Sequence, residues 1–147
     1  MFLQYALEQA EVSNPLAVVR DGREAMAYFK GEGKFRDREA FPLPSLVLLD
    51  LRLPEVSGLE VLRWMRDQPE LAKMPVLVFS SSDQDADVDA AYRLGANGYI
   101  VKPSAPAELV EIVRRVKKYW LEMNGPPAGC AEWTSVLVPQ QTRAAVG

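Results

Sequence analysis

The chain has 147 residues, of which 48% are hydrophobic and 25% charged, a balance typical of one globular domain rather than a disordered chain. Its net charge of −3, from 17 basic and 20 acidic residues, gives neither a basic footprint for nucleic acid nor a polybasic membrane patch. The lack of histidine excludes a histidine base, metal ligand or phosphocarrier, and a single cysteine, Cys130, excludes an internal disulfide. No apolar run approaches the roughly 18 residues of a membrane span, so we expect a cytoplasmic protein.

Helical segments alternate with short apolar runs along the chain. Residues 2–10 have helical spacing that stops at Asn14-Pro15, and the longest later stripe extends from Leu109 to Trp120. Four apolar runs separate the helical segments, at residues 16–19, 46–49, 76–79 and 99–101. These runs are continuous rather than alternating, which is typical of strands buried on both faces of a parallel sheet. The order predicts an α/β fold with an open, doubly wound parallel sheet.

Two segments do not fit this alternation. Residues 31–45 form a long connection of mixed charge with proline, which we interpret as a surface loop, with a partner-binding loop as the alternative. After residue 121 the Pro/Gly-rich stretch NGPPAG leads to a strand-like run at 134–138. We therefore expect one domain over residues 1–121, followed by a linker and tail over 122–147.

Polar residues follow three of the predicted strands. Asp50 stands in VLLDLRLP, Ser80 in PVLVFSSSD and Lys102 in GYIVKPS. Because the carboxyl ends of parallel strands share one edge of the sheet, these side chains are expected to converge. Asp50 can act as a nucleophile toward phosphorus, Lys102 can neutralise phosphoryl oxygens, and Ser80 can donate a hydrogen bond to one of them. The pattern predicts a phosphate site.

The segments LLDLRLPEVSG, PVLVFSSS and GANGYIVKPS stand in the order and spacing of the receiver domain of two-component response regulators. The chain resembles that family from about residue 1 to residue 121. The resemblance implies a flavodoxin-like fold in which Asp50 is the phospho-accepting aspartate and Lys102 is the phosphate-contacting lysine. It implies further that Ser80 is the switch hydroxyl and that Tyr99 is the aromatic residue that turns inward when this hydroxyl moves.

The resemblance extends to two finer details. The peptide bond between Lys102 and Pro103 is one that is often cis in this family. The 31–45 loop and the ending RVKKYWLEMN are similar to a single-domain subgroup that works with phytochrome-type sensor kinases. The resemblance therefore implies that the partner of this chain is a sensor histidine kinase or a phosphotransfer protein.

Magnesium is the cofactor that the resemblance implies, and here the sequence departs from the family. Receivers hold the ion with an acidic pair at the end of a first strand, while the resemblance assigns further metal contacts to Asp50 and to the backbone carbonyl of Arg52. This sequence begins inside the helix that would follow that strand, and the acidic pair is not in it. Without a divalent ion, the charge on a transferring phosphoryl group is poorly neutralised.

A later group of four aspartates stands at the start of a predicted helix: Asp83, Asp85, Asp87 and Asp89. We expect these aspartates to stabilise the helix dipole rather than to bind a metal ion.

The missing first strand also leaves a structural gap. In the family it lies between the strands predicted here at 16–19 and 46–49, so its loss would leave roughly 10 Å with two unpaired inner edges. The run 134–138 could enter in parallel, the same run of a second copy could enter in a swapped dimer, or the tail could pack elsewhere. Insertion would make the fold a circular permutation, with Met1 and Val138 near each other at the active edge.

Two functions remain open at this stage. The first is a phosphorelay receiver that takes a phosphoryl group from a kinase phosphohistidine onto Asp50 and signals by docking. The second is a degenerate receiver, impaired in magnesium binding and phosphorylation, that acts as a protein-interaction or homodimerisation module. An aspartate-nucleophile phosphatase would need a second aspartate at the position of Arg52, so we expect no enzyme.

Overall fold

Helices and strands alternate along the chain much as the apolar pattern predicts. The structure, a computed structural model, describes residues 2–53, 55–123, 125 and 136–139. In chain order the elements are α1 (Phe2–Gln9), β1 (Leu16–Val19), α2 (Gly22–Lys30), a 3-10 turn (Gly33–Phe35), β2 (Leu46–Asp50), α3 (Gly58–Asp67), β3 (Val76–Ser80), α4 (Asp85–Arg93), β4 (Gly98–Val101), α5 (Pro106–Val116), a π-helical continuation (Lys117–Met123) and β5 (Val136–Pro139). No helix in the described part of the chain is long and apolar enough to cross a membrane.

Within the described residues, five strands form one parallel sheet in the order β1-β5-β2-β3-β4. The last strand in the sequence, β5, therefore lies between β1 and β2, in the gap that the sequence predicts there. Val136 is level with Leu16 of β1 on one side and with Leu46 of β2 on the other. β5 satisfies backbone groups that would otherwise face an open gap inside the sheet. The described strand, Val136–Pro139, shares residues 136–138 with the expected run 134–138 and extends one residue beyond it. Met1 and residues 134 and 135 lie outside the described residues.

Different helices cover the two faces of the sheet. β2 and β3 are buried at every position, and their alternate residues contribute to two separate cores. The core under α1 and α5 takes Leu46, Leu48, Leu77 and Phe79. The core under α2, α3 and α4 takes Val47, Leu49, Val76 and Val78. Each fully buried aliphatic side chain contributes about 1.5–3 kcal/mol to stability, so these two central strands hold the residues at their carboxyl ends, Asp50 and Ser80, in fixed positions.

The 31–45 connection is anchored by an aromatic cluster. The Tyr28 ring lies 4.9 Å from that of Phe35 and 6.1 Å from that of Phe41, measured between centroids. The Tyr28 hydroxyl donates to the carbonyl of Pro42 at 2.8 Å, and the Arg38 guanidinium donates to the carbonyls of Tyr28 and Phe41 at 2.8 and 3.0 Å. The segment is thus an ordered surface loop, and a role in partner binding stays a prediction.

The starts of two helices illustrate what the sequence predicts well and less well. Ser57 caps α3, since its Oγ accepts a hydrogen bond from the backbone N–H of Glu60 at 3.2 Å. The sequence favours Ser104 as the cap of α5, but the residue in that position is Ala105 and the helix begins at Pro106. Proline is favoured at the first helical position because its φ is already set and its missing N–H would have had no partner within the helix, so the helix begins at Pro106 without a capping side chain.

Candidate functional site

Asp50 and Lys102 form an ion pair at the carboxyl edge of the sheet. The Lys102 Nζ lies 2.7 Å from Asp50 Oδ2, and only 15% of the Lys102 side chain and 11% of the Asp50 side chain are exposed. The sheet order explains the contact, because β2 and β4 flank β3 and all three strands end at the same edge. A charge-assisted hydrogen bond in a largely dry position is stronger than one at an open surface. The structure thus brings together two of the three predicted site residues.

Ser80 lies at the end of β3, between those two strand ends, and is completely buried. Its carbonyl accepts a hydrogen bond from the backbone N–H of Lys102 at 2.7 Å, just beyond the register pair of Ser80 with Val101. Its Oγ accepts a hydrogen bond from the backbone N–H of Ser82 at 3.1 Å. The backbone of β3 therefore positions Lys102, while the Ser80 hydroxyl is tied to the loop that leads to α4.

A close contact between the end of β2 and the start of α3 sets the Asp50 backbone. Asp50 Oδ1 accepts a hydrogen bond from the backbone N–H of Arg52 at 3.0 Å, and the N–H of Gly58 donates to the carbonyl of Leu51 at 3.0 Å. A Cβ at Gly58 would lie 2.1 Å from the Asp50 carbonyl oxygen. Only glycine allows α3 to approach the phospho-acceptor candidate so closely.

Tyr99 on β4 points toward the same loop as Ser80. Its ring is half-buried against the core under α2, α3 and α4, and its hydroxyl donates to the carbonyl of Ser82 at 2.9 Å. The residue that the resemblance assigns as the switch aromatic is therefore already directed inward. Ser80 and Tyr99 share Ser82 as a hydrogen-bonding partner.

The backbone after β4 differs from one detail of the resemblance. The peptide bond between Lys102 and Pro103 is trans, whereas the cis form is often found in the family. At a bond before proline, the trans form is favoured by only about 0.5–1 kcal/mol, so it is the isomer expected where packing does not select the other. Lys102 reaches Asp50 from this trans backbone.

Glu24 supplies a second carboxylate near the carboxyl edge, just after β1. Burial raises its pKa, but hydrogen bonds from the backbone N–H and guanidinium of Arg20, with the charge of Lys34, outweigh burial and lower the pKa below 4.5. The carboxylate lies 3.0 Å from the Arg20 guanidinium and 3.4 Å from Lys34 Nζ. Glu24, in the first turn of α2, is thus paired with these two cations.

Together these contacts define the kind of site. A carboxylate, an ammonium and a hydroxyl stand at three adjacent strand ends of an open parallel sheet, at the edge where such folds bind their ligands. A nucleophilic carboxylate beside a fixed cation suits a small transferable group of negative charge. The fold is that of a receiver domain.

Comparison with known proteins gives the family. The family model for the response regulator receiver domain matches residues 1–114, and the chain belongs to this family as part of a two-component response regulator. Response regulator Rcp1 of Synechocystis sp. is 36% identical over 86% of this chain and 84% of its own length. The crystal structure of the phosphorylated cyanobacterial phytochrome response regulator RcpA is 37% identical, covers 86% of this chain and 89% of that chain, and has a TM-score of 0.79. The structure of Mn²⁺-bound Rcp1 is 35% identical over the same shares of each chain, with a TM-score of 0.77. The predicted α/β, flavodoxin-like fold is confirmed.

Receiver domains of this family bind Mg²⁺, and the described residues of this chain do not supply a matching donor set. Among residues 2–53 and 55–123, no group of three or more acidic, histidine or cysteine side chains is placed to hold a metal ion. One Asp50 oxygen already accepts from Lys102 and the other from the N–H of Arg52. Magnesium prefers six oxygen ligands, with one or two carboxylates among them. A metal role for Asp50 and the Arg52 carbonyl stays a prediction.

Sequence reasoning missed three residues at this site. Ser82 is hydrogen-bonded to Asp87, to Ser80 and to Tyr99, whereas the sequence indicates Asp87 only as one of four aspartates near a helix start. The sequence predicts that a helix begins at Gly58, after Ser57 as N-cap, but gives no reason for glycine at that position. Spacing gives a weak signal for Ser82, because a serine two residues before the N-cap residue of a helix can accept a hydrogen bond from the backbone N–H of that residue.

Proposed function

We propose that this receiver domain accepts a phosphoryl group on Asp50 from the phosphohistidine of a sensor kinase or phosphotransfer protein. The observation that carries the proposal is the mostly buried ion pair between Asp50 and Lys102 at 2.7 Å, beside the buried Ser80. The pair holds the carboxylate in place and puts a positive charge where the phosphoryl oxygens would arrive. The similarity to RcpA, which has been crystallised in phosphorylated form, supports the same chemistry.

The transfer balances without any further reactant. An Asp50 carboxylate oxygen attacks phosphorus and forms the new O–P bond, while the P–N bond to the donor imidazole breaks and its electron pair stays on nitrogen. Asp50 becomes an acyl phosphate, and the phosphoryl oxygens take over the Lys102 ammonium as their counter-ion. Ser80, on the neighbouring strand end, gains a new acceptor for its hydroxyl.

Signalling by docking follows from where this change occurs. A movement of Ser80 toward the phosphoryl group would alter its hydrogen bond with the N–H of Ser82. The carbonyl of the same residue accepts the hydrogen bond from the Tyr99 hydroxyl, so Tyr99 would be affected too. α4 and β4 adjoin this network and expose two large hydrophobic side chains, Tyr92 at 50% and Val101 at 42%. A charge placed on Asp50 is thereby converted into a change of packing beside an apolar surface.

A degenerate receiver is the second candidate, and the donor set favours it. Among the described residues, no group of three or more acidic, histidine or cysteine side chains is placed to hold a metal ion, and Lys102 already engages one Asp50 oxygen. A protein of this kind would bind its partners or a second copy of itself without phosphorylation. Its cytoplasmic location and the absence of nucleic-acid and membrane partners belong to both proposals.

Intact-mass measurement separates the two functions. The protein would be incubated with phosphoramidate, whose P–N bond mimics that of phosphohistidine, with and without Mg²⁺, beside an Asp50→Asn variant. A single phosphoryl adduct that the variant lacks supports the receiver, and its dependence on Mg²⁺ reports whether a metal site is formed. A folded protein that gives no adduct under either condition contradicts phosphorylation and leaves the docking module.

A further inference from the structure

Ser82 uses all of its polar groups to join the end of β3, Tyr99 on β4 and the start of α4. Its backbone N–H donates to Ser80 Oγ at 3.1 Å, and its carbonyl accepts from the Tyr99 hydroxyl at 2.9 Å. Its own hydroxyl donates to the carboxylate of Asp87 and accepts from the backbone N–H of Gln84 at 3.3 Å. The residue is only 8% exposed, so these bonds face little competition from water.

The side-chain bonds of Ser82 replace a missing helix cap. Gln84 is the N-cap residue of α4, and its side chain makes no capping hydrogen bond. The Ser82 hydroxyl instead accepts from the Gln84 backbone, and Asp87 in the first turn of the helix accepts from that hydroxyl. The position of α4 therefore depends on a residue that lies outside the helix.

We propose that Ser82, held by Asp87, is the positioning residue that keeps Tyr99 inward and couples α4 to the Ser80 hydroxyl. The inference deepens the proposed function, on which it rests for the signal that would reach Ser80. One residue carries both connections, because its N–H faces Ser80 while its carbonyl faces Tyr99. Any displacement of Ser80 Oγ must be accommodated by the Ser82 backbone, which moves the acceptor of Tyr99 and the cap of α4 together.

The alternative is that Ser82 merely fills space in a loop whose shape is set by its flanking strand and helix. In that case removal of the hydroxyl would change the stability of the protein but not the position of Tyr99. The two interpretations both predict a change in stability, but only the proposal predicts a change in the spectroscopic signal of Tyr99. Stability alone does not distinguish them.

The test uses the unphosphorylated full chain, labelled with 3-fluorotyrosine. A Tyr99→Phe variant assigns the Tyr99 signal in the ¹⁹F NMR spectrum, and hydrogen exchange reports on the first turn of α4. In Ser82→Ala and in Asp87→Ala we expect the Tyr99 signal to move toward those of the exposed tyrosines. We also expect amide exchange in that turn to become about tenfold faster, the effect of losing a helix cap. Ser82→Thr, which keeps the hydroxyl, should restore both readouts.

Matched controls exclude a general effect of serine or charge loss. Ser81→Ala removes an exposed hydroxyl next to Ser82, and Asp85→Ala removes an exposed carboxylate from the same helical turn as Asp87. Neither control should move the Tyr99 signal. A Tyr99 signal unchanged in both Ser82→Ala and Asp87→Ala overturns the proposal, and if one variant fails to fold, the other decides. A wild-type protein that gives no phosphoryl adduct overturns the proposed function instead, while these readouts, taken without phosphate, still test Ser82.

Discussion

Lys102 Nζ lies 2.7 Å from Asp50 Oδ2, although 52 residues separate the two in the sequence and β3 lies between their strands. Both side chains are mostly buried, so each charge depends on the other for part of its stabilisation. The order of the strands in the sheet therefore creates this ion pair. A phosphoryl group on Asp50 would meet the same ammonium.

The ion pair should appear as a coupling energy. Lys102→Met leaves the Asp50 carboxylate without its lysine in a mostly buried position, and we expect it to lower the free energy of unfolding by about 1–3 kcal/mol. In the double variant with Asp50→Asn, part of this loss should be recovered, because no charge is left to compensate. Urea denaturation of the four proteins measures the coupling, and a value within about 0.5 kcal/mol of zero would contradict an energetically important pair.

The central position of β5 predicts unusual sensitivity in the C-terminal segment. Leu137→Pro removes a backbone N–H from a strand paired on both sides, so it should cost about 3 kcal/mol more than Leu137→Ala, which keeps that N–H. Thermal melting of the two variants measures the difference. Equal melting temperatures would mean that the segment is not a strand inside the sheet.

Gly58 should tolerate no side chain. Gly58→Ala places a Cβ against the Asp50 carbonyl and should cost about 1–3 kcal/mol, because backbone atoms must move apart. Gly125→Ala is the control, since no atom of the described residues lies within 4 Å of its added Cβ, and a change of less than about 1 kcal/mol is expected there. Chemical denaturation checks both, and a neutral Gly58→Ala would show that the contact with the end of β2 is not tight.

Glu24 should make stability depend on pH in the acidic range. Its pKa in the folded protein is below the ordinary 4.5, since the hydrogen bonds from Arg20 and the charge of Lys34 outweigh burial. Its contribution is therefore complete above pH 4.5 and is lost as the pH falls through the folded pKa. Because Arg20 and Lys34 are mostly exposed, we expect wild type to exceed Glu24→Gln by only about 0.5–1 kcal/mol at neutral pH.

Unfolding at pH 7 and well below 4.5 measures this difference. The gap between wild type and Glu24→Gln should close at the acidic pH. Glu111→Gln, which removes a carboxylate from the exposed ion pairs of α5, is the matched control and should show a smaller gap at pH 7. A gap for Glu24 that persists unchanged in acid would contradict the assignment.

Much of the fold follows from the sequence for a simple physical reason. Strands buried on both faces must be apolar at nearly every position, so the runs that became β2 and β3 are visible without any knowledge of their neighbours. The runs that became β1 and β4 are equally apolar, although these strands lie at the sheet edges and are only partly buried. The carboxyl ends of parallel strands share an edge, which is enough to place Asp50, Ser80 and Lys102 together. Helix ends are harder, as α5 shows, because the residue that caps a helix depends on backbone geometry over one or two positions.

The network around Ser82 was out of reach of such reasoning. In SSSDQDADVD, spacing gives only a weak signal for Ser82 and does not show that this serine is buried while its neighbour Ser81 is exposed. Burial and the direction of four hydrogen bonds make that distinction. Three of these bonds depend on the fold of the loop between β3 and α4, and the fourth forms only when β4 brings Tyr99 alongside that loop. The close approach of Gly58 to Asp50 is likewise a contact between elements.

The sequence by itself determined the class of fold, the three residues at adjacent strand ends and the need for a strand in the gap between β1 and β2. Local chemistry and periodicity are sufficient for these, because they depend on which residues are apolar and where each strand ends. Only the tertiary structure decided that Val136–Pro139 fills the gap, that Lys102 engages Asp50 and that Tyr99 is bonded to the Ser82 carbonyl. Each of these joins residues far apart in the chain, and the free energy that selects them comes from pairing and burial between elements rather than within one.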